Sequence, residues 1–299
     1  MRILLLGSTG FLGGHTAEQL RALPGVRLLV GGRSAEADIR LDLTAGPGVL
    51  ADALLAARPS VVVNCAGLVA GSAVHLTDVN ARGPAALCEA LGDAAPDARL
   101  VHLGSAAEYG PTAPGEPVTE ATATRPLGPY GATKLAGTVA VRASGLDAVV
   151  LRVFNPVGPG APSAGLPGRL AAELRRAAEE DDTVRVGDLS AHRDFVDARD
   201  VADAVVRAAT AEGPLPPVLN IGSGVATSAR DLAHGLVRAA GFRGRLEETG
   251  AGSARSTAVS WQCADITSAV RALDWRPRRA LVDSLQDLWA RPAPAGVPR

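Results

Sequence analysis

Residues 2–14 read RILLLGSTGFLGG, in which a short apolar run, Ile3 to Leu6, feeds a turn with Gly7, Gly10 and Gly13 spaced three apart. Helical patterning then runs from Phe11 to Leu23. Strand, glycine turn and helix in that order open a βαβ unit whose turn cradles a pyrophosphate. Each glycine has its own reason. Gly7 permits the tight turn, Gly10 lets the backbone approach the phosphates, and Gly13 lets the helix pack on the strand. The free N–H groups of the helix start then face the anion. Thr9, Phe11 and Leu12 fall on the same turn and are expected beside the ligand.

Working outward, strand-length apolar runs recur at Val26–Val30, Val61–Asn64, Arg99–Leu103 and Ala148–Val153. Between them lie the helical stretches Pro47–Arg58, Asp78–Ala94 and Tyr130–Ala143. This alternation predicts an α/β fold with a doubly wound parallel sheet. It lapses in the Pro- and Gly-rich segment Asn155–Gly168. Residues 1–154 are therefore read as a dinucleotide-binding domain, rejoined by segments at about 190–226 that include the strand Val218–Ile221. Residues 155–299 are read as a smaller, mixed substrate lobe packed by Trp261, Trp275 and Trp289. The proline-rich tail 290–299 is expected to be disordered.

Composition narrows the class. The chain of 299 residues is 47% hydrophobic and 20% charged, as a globular protein is. A net charge of −1 without runs of either sign leaves no footprint for nucleic acid or a membrane surface. No apolar run approaches a bilayer span, and the N-terminal one is too short for a signal peptide. Cys65, Cys88 and Cys263 are widely spaced and odd in number, so they read as reduced thiols of a cytoplasmic protein. No histidine pair has metal spacing, so no metal is expected.

The end of the second strand bears on the choice of dinucleotide. NAD sites carry Asp or Glu there, for the ribose hydroxyls. This chain has Gly31, Gly32 and Arg33. A guanidinium in place of a carboxylate suits a 2′-phosphate and favours NADP(H) over NAD. Asp42 is placed to accept from the adenine amino group, with Leu43 beside it.

The catalytic signal is sparser. Of 30 cationic side chains all are arginine except Lys134, and one of the two tyrosines, Tyr130, precedes it by four residues. On a helix that spacing puts both on one face. The ammonium favours phenolate and lowers the Tyr pKa toward a range where it can exchange a proton with a carbonyl or alcohol. Ser105 follows a strand and can hydrogen-bond the same substrate oxygen.

With these motifs in place the sequence resembles the NAD(P)-dependent epimerase/dehydratase family, the extended short-chain dehydrogenases. The resemblance runs through GSTGFLG, YGATK, Asn64-Cys65-Ala66-Gly67, Val79 to Gly83, Ser105 to Gly110, LRVFNPVGPG (Leu151 to Gly160), RDFVDARDVADA (Arg193 to Ala204), NIGSG (Asn220 to Gly224) and Ala272 to Pro277. It implies a Rossmann sheet, Cys65, Ala66, Gly67 and Phe154 along the cofactor, and a proton relay through Asn80 that supports Tyr130 and Lys134. It further implies a nucleoside-diphosphate sugar as substrate, contacted by Ala106, Ala107, Tyr109 and Asn155, with Arg193 and Arg255 on the diphosphate. A homodimer through the helices Asp78–Ala94 and Tyr130–Ala143 is implied too.

Two departures narrow the reaction. Sugar 4,6-dehydratases carry an acid/base group after the catalytic hydroxyl, where this chain has Ala106 and Ala107. Glu108 stands one residue further on and reads as a loop carboxylate. The absence of an acid at Gly31 argues against an NAD retained through an epimerase cycle. A reductase of a nucleotide-linked 4-keto-6-deoxyhexose is the leading reading. An epimerase, a reductase of a non-sugar ketone and a non-catalytic NADP-binding protein remain open.

Overall fold

In the computed structural model, which describes residues 1–180, 183–250 and 258–292, the opening apolar run lies inside the central sheet. β1 (Arg2–Leu6) leads to α1 (Phe11–Ala22), β2 (Arg27–Gly32), β3 (Ile39–Arg40), α2 (Pro47–Ala57) and β4 (Val61–Asn64). Next come α3 (Ala73–Thr77), α4 (Gly83–Ala94), β5 (Arg99–Ser105), α5 (Pro129–Ala143) and β6 (Ala148–Val153). The chain continues through β7 (Pro156–Val157), α6 (Leu166–Glu180), β8 (Val184–Val186), β9 (His192–Asp194), β10 (Val196–Asp197), α7 (Ala198–Thr210) and β11 (Val218–Ile221). It ends with β12 (Ala226–Ser228), α8 (Ala229–Ala240), β13 (Leu246–Glu248), β14 (Trp261–Gln262), α9 (Thr267–Leu273) and α10 (Leu281–Ala290).

Seven strands form one parallel sheet in the order β11-β6-β5-β4-β1-β2-β3. Alternate residues serve opposite faces. Leu4, Leu6, Val62, Leu100 and Val150 pack with Leu50 and Leu54 of α2 and Leu87 and Leu91 of α4. Ile3, Leu5, Val63, Val101 and Leu151 pack with Leu20 of α1 and Val205 of α7. Both faces are dry, which is why these strands read as continuous apolar runs rather than alternating ones. Each fully buried Leu contributes about 1.5–3 kcal/mol. Strand order reverses between β1 and β4, and sites form beyond the C-terminal strand ends at such a point.

The lobe has a core of its own, with Val157, Leu170, Leu174, Phe195, Leu232, Leu236 and Leu285 at its centre. Within it β9 lies between β12 and β14, β10 pairs with β7, and β13 pairs with β8.

Four features differ from the sequence reading. Trp275 was placed in the lobe, yet it is fully buried against the central sheet with Ala269 and Leu273, its Nε1 donating to Asp200 O at 2.9 Å. The stretch read as one helix from Asp78 starts earlier, at Ala73, and widens into a π turn over Asp78–Arg82. A two-residue edge strand, β3, carries too little pattern to be visible. Finally, α10 reaches Ala290 and Gly160 N donates to Arg291 O at 2.9 Å, so the first residues of the expected tail are held; residues 293–299 lie outside those described. Among the described residues no helix is long and apolar enough to cross a membrane.

Candidate active site

The cleft is built from close approaches that only glycine permits. Gly7 has φ +79°, and a Cβ there would stand 2.6 Å from Ala66 N, so the turn after β1 presses on the turn after β4. A Cβ on Gly13 would stand 2.0 Å from Gly7 O, which brings α1 hard against the strand end. α1 begins at Gly10 with no side chain capping it, leaving backbone donors for an anion. These residues fit a dinucleotide pyrophosphate. At Gly31 a Cβ would meet Leu6 Cδ2 at 2.5 Å, so Leu6 fills the space from which a ribose-binding carboxylate would extend. Arg33 is exposed beside this strand end. Asp42 accepts from Thr44 N at 2.9 Å and Thr44 Oγ1 at 2.8 Å and does not cap α2, whose N-cap is Gly46. Burial pushes the Asp42 carboxyl up, but the Thr44 bonds and the nearby Arg33 and Arg82 outweigh it and hold it below the usual range.

Across the cleft, α5 carries Tyr130 in its first turn, half-buried, and Lys134 one turn on, only 5% exposed. Two glycines let this helix dock. A Cβ on Gly131 would stand 2.5 Å from Ala107 O, and one on Gly137 would stand 2.3 Å from Asn80 O. The first contact presses α5 on the turn that follows Ser105, the second on the π turn that holds Asn80. Lys134 Nζ donates to Leu103 O, and Gly67 brings the loop after β4 close: its Cβ would lie 3.7 Å from Nζ and 3.2 Å from Asn80 Oδ1. Asn80 is fully engaged, with Oδ1 accepting from Leu68 N at 2.9 Å and Nδ2 donating to Leu68 O at 2.8 Å and Thr133 Oγ1 at 3.3 Å. Burial pulls the Lys134 pKa down, against the charge of Glu108, which pulls it up. Ser105 ends β5, with its Oγ accepting from Ala107 N at 3.2 Å and its N donating to Glu108 Oε1 at 2.8 Å.

The family model for the NAD dependent epimerase/dehydratase family matches residues 3–222. The chain belongs to this family. It is therefore an NAD(P)-dependent enzyme of the extended short-chain dehydrogenase type. It is 37% identical over 310 residues to a dTDP-6-deoxy-L-talose 4-dehydrogenase (NAD(P)(+)) of Kitasatospora kifunensis, covering 99% of this chain and 97% of that one. It is 30% identical over 308 residues to a UDP-glucose 4-epimerase of Mycolicibacterium smegmatis, covering 95% and 96%. Among solved structures, MoeE5 in complex with UDP-glucuronic acid and NAD is 28% identical with a TM-score of 0.83, covering 97% of this chain and 99% of that one.

Not every residue that the family resemblance brought forward faces the cleft. Tyr109, expected on the substrate, is fully buried; its hydroxyl donates to Asn220 Oδ1 at 2.7 Å and Arg152 lies 4.6 Å above its ring. The Ala106–Glu108 turn carries it into the core. Phe154, expected on the cofactor, has a fully enclosed ring packed with Tyr109, Val118 and Ala264, which leaves only its backbone for contact. Leu43 is 7% exposed and packs beneath α2 and α4. Ala106 is 4% exposed, while Ala107 and Asn155 are half-buried, Asn155 Nδ2 donating to Asp194 O at 2.9 Å. Arg193 Nη1 donates to His192 O, whereas Asp194 turns inward to other partners. Arg255 lies outside the described residues.

Three groups escaped the sequence reading. Gln262, 5% exposed on β14, donates from Nε2 to Ala106 O at 3.1 Å and Gly110 O at 3.3 Å, tying the lobe to the segment after Ser105. Asn64 and His102, paired across β4 and β5, are both fully buried near Lys134. Asn64 Oδ1 accepts from Ala66 N at 3.1 Å, so its amide N donates to His102 Nδ1 at 3.2 Å and the imidazole proton sits on Nε2. Glu108 is the third: read as a loop carboxylate, it is instead fully buried, with its oxygens held by Ser105 N, Thr138 Oγ1 and Arg152 Nε. A polar residue within the apolar run of β5 was the available signal for His102.

Proposed function

We propose that this enzyme is an NADPH-dependent reductase of a nucleotide-linked 4-keto-6-deoxyhexose. What supports this reading is that α5, which carries Tyr130 and Lys134, packs through Gly131 on the turn after Ser105 and buries Lys134 against Leu103 O, while the residues directly after Ser105 offer no free acid/base group. Ala106 and Ala107 carry no titratable atom, and Glu108 is committed to Ser105, Thr138 and Arg152. On this reading a proton is given to one oxygen, and Ala106 and Ala107 offer no group for the second proton transfer that dehydration needs.

A dinucleotide held by the glycine turn after β1 would supply a hydride to the carbonyl carbon. Tyr130 donates the proton that the carbonyl oxygen needs, and the Lys134 ammonium stabilises the phenolate left behind. Ser105 Oγ holds the same oxygen and offsets its developing charge. Asn80 connects this pair to the loop after β4. Gly7, Gly10 and Gly13 receive the pyrophosphate, and Arg33 pairs with the 2′-phosphate of NADPH. Arg193, on the lobe strand next to the sheet end, faces the substrate diphosphate. The dehydrogenase and epimerase named among the relatives act, by their names, on deoxythymidine- and uridine-diphosphate sugars, which supports the substrate class. A homodimer through the helices Asp78–Ala94 and Tyr130–Ala143 belongs to this reading, and Val139, exposed on α5, is placed for such a contact.

The test is to mix purified enzyme with NADPH or NADH and a panel of nucleotide-linked 4-keto-6-deoxysugars, following the reduced nicotinamide absorbance. Stoichiometric oxidation, faster with NADPH, is expected. Interconversion of sugar epimers with neither cofactor consumed overturns the reductase reading in favour of an epimerase.

A further inference from the structure

Glu108 has no assigned role, yet it is 0% exposed and bonded to three elements at once. Its Oε1 accepts from Ser105 N at 2.8 Å, at the end of β5, and from Thr138 Oγ1 at 3.0 Å, on α5. Its Oε2 accepts from Arg152 Nε at 2.8 Å, on β6. Two of those three elements carry the catalytic groups. Tyr130, Lys134 and Thr138 stand four apart, on one face of α5, so the carboxylate grips the helix one turn beyond the lysine. Space has been kept for it: a Cβ on Gly104 would stand 2.8 Å from Glu108 Oε1 and 3.2 Å from Arg152 Cγ.

The charges facing Lys134 single out the same residue. Cys65, on the loop after β4, is pushed up to about 12 by burial and stays a neutral thiol. His102, on β5, is held well below its ordinary value by burial and then by the Lys134 charge, and stays a neutral imidazole. Tyr130 shares the helix, and Arg152 on β6 is spent on Glu108. Among the described residues, Glu108 is left as the anion that opposes burial of the ammonium.

We propose that Glu108 is a positioning residue of the catalytic pair: one buried carboxylate fixes the Ser105 turn, anchors α5 through Thr138 and provides the negative charge that keeps Lys134 an ammonium. The proposal rests on the reading of Tyr130 and Lys134 as the catalytic pair. It differs from a purely structural ion pair in that its loss reaches the lysine.

The test exploits the single lysine of the chain. Full-length protein grown with ¹³C-lysine gives one side-chain signal, whose titration reads Lys134 without any substrate. In Glu108→Gln the midpoint is expected to fall by about one pH unit or more, because the neighbouring opposite charge is gone. The alkaline limb of the turnover profile is expected to move with it. Because Glu108→Gln leaves Arg152 buried and unpaired, the double variant Glu108→Gln/Arg152→Met removes the pair as a unit and is expected to show a fall in the same direction, smaller because the Arg152 cation is gone as well. Thr138→Val keeps the charge, so the midpoint stays while kcat drops a few-fold at unchanged KM. A wild-type midpoint in folded Glu108→Gln or in the double variant overturns the proposal, and so does a double variant that cannot fold, which would confine Glu108 to stability. Wild-type kcat in Thr138→Val removes the anchoring role. A shifted midpoint in a protein that turns over no keto-sugar leaves the charge relation standing and refutes the function instead.

Discussion

Glu108 and Arg152 beneath α5, and Asp194, Asp197 and Asp200 where the lobe meets the sheet, are equally withdrawn from water, yet they stand in different relations to their neighbours. At the junction every carboxylate is filled by backbone and side chains of distant segments. Asp194 accepts from Ser223 N, Ser223 Oγ, Gly224 N and Ala264 N. Asp197 takes Arg199 and Ser284 Oγ, and Asp200 takes Arg278 N, Arg279 N and the Arg279 guanidinium. Three acids spaced three apart thus stitch the 222–224 loop, α10 and the 278–279 segment to the start of α7. Asp194 and Asp197 each accept four or more hydrogen bonds, and Asp200 accepts three. Under α5 the same kind of buried charge borders side chains that retain unused capacity, the Ser105 hydroxyl and the Lys134 ammonium. What separates a seam from a site is therefore not burial of charge but whether the hydrogen-bonding capacity around it has been used up.

That contrast can be broken or sharpened by substitution. The largest effect is expected for Tyr130→Phe, which should lower kcat by about 10²- to 10⁴-fold while thermal unfolding stays at the wild-type temperature. A comparable loss of stability would place Tyr130 with the seam residues. Asp200→Ala should do the reverse. It leaves the Arg278 and Arg279 backbone N–H groups without their acceptor, while the exposed Arg279 guanidinium turns to water, and is expected to cost about 1.5–3 kcal/mol in urea unfolding, with near-normal kcat in the molecules that remain folded. Arg33→Ala should weaken NADPH by about tenfold or more, the value of a charge-assisted bond of about 1.5–3 kcal/mol, and leave NADH binding unchanged. Equal loss for both cofactors in a titration would remove Arg33 from the 2′-phosphate.

The smallest effect concerns His102. Its imidazole is neutral in the fold and held well below 6.5, so the unfolded chain binds a proton that the folded chain refuses. The resulting stability is present in full above the unfolded value and is lost as pH falls toward the folded one, by at most about 1.4 kcal/mol per unit. His102→Asn should flatten that acid slope in urea denaturation at pH 6.5, 5.5 and 4.5. An unchanged slope would show that the imidazole does not titrate on unfolding.

The sheet was legible because a parallel strand covered on both faces must be apolar throughout, as in Ile3 to Leu6 and Val61 to Val63. The glycine turn was legible because its spacing encodes contact distances. Side-chain direction was not. Tyr109 and Glu108 follow Ser105 in a single turn, and no spacing tells that both turn inward, Tyr109 to Asn220 and Glu108 to Arg152 and Thr138. The π turn that holds Asn80 leaves the apolar pattern intact, and the close approach of Gly137 to Asn80 O comes from another helix. Trp275 escaped because its partners lie on the central sheet, remote in sequence. The RDFVDARDVADA motif was read through one arginine, while its aspartates do the joining.

The most direct measurement of the central claim is isotope transfer from reduced cofactor. With NADPH deuterated at C4 of the nicotinamide and a nucleotide-linked 4-keto-6-deoxysugar, the product should carry one deuterium at sugar C4 for each NADPH oxidised, and Tyr130→Phe should suppress both together. An unlabelled product formed without oxidation of the cofactor would contradict the account.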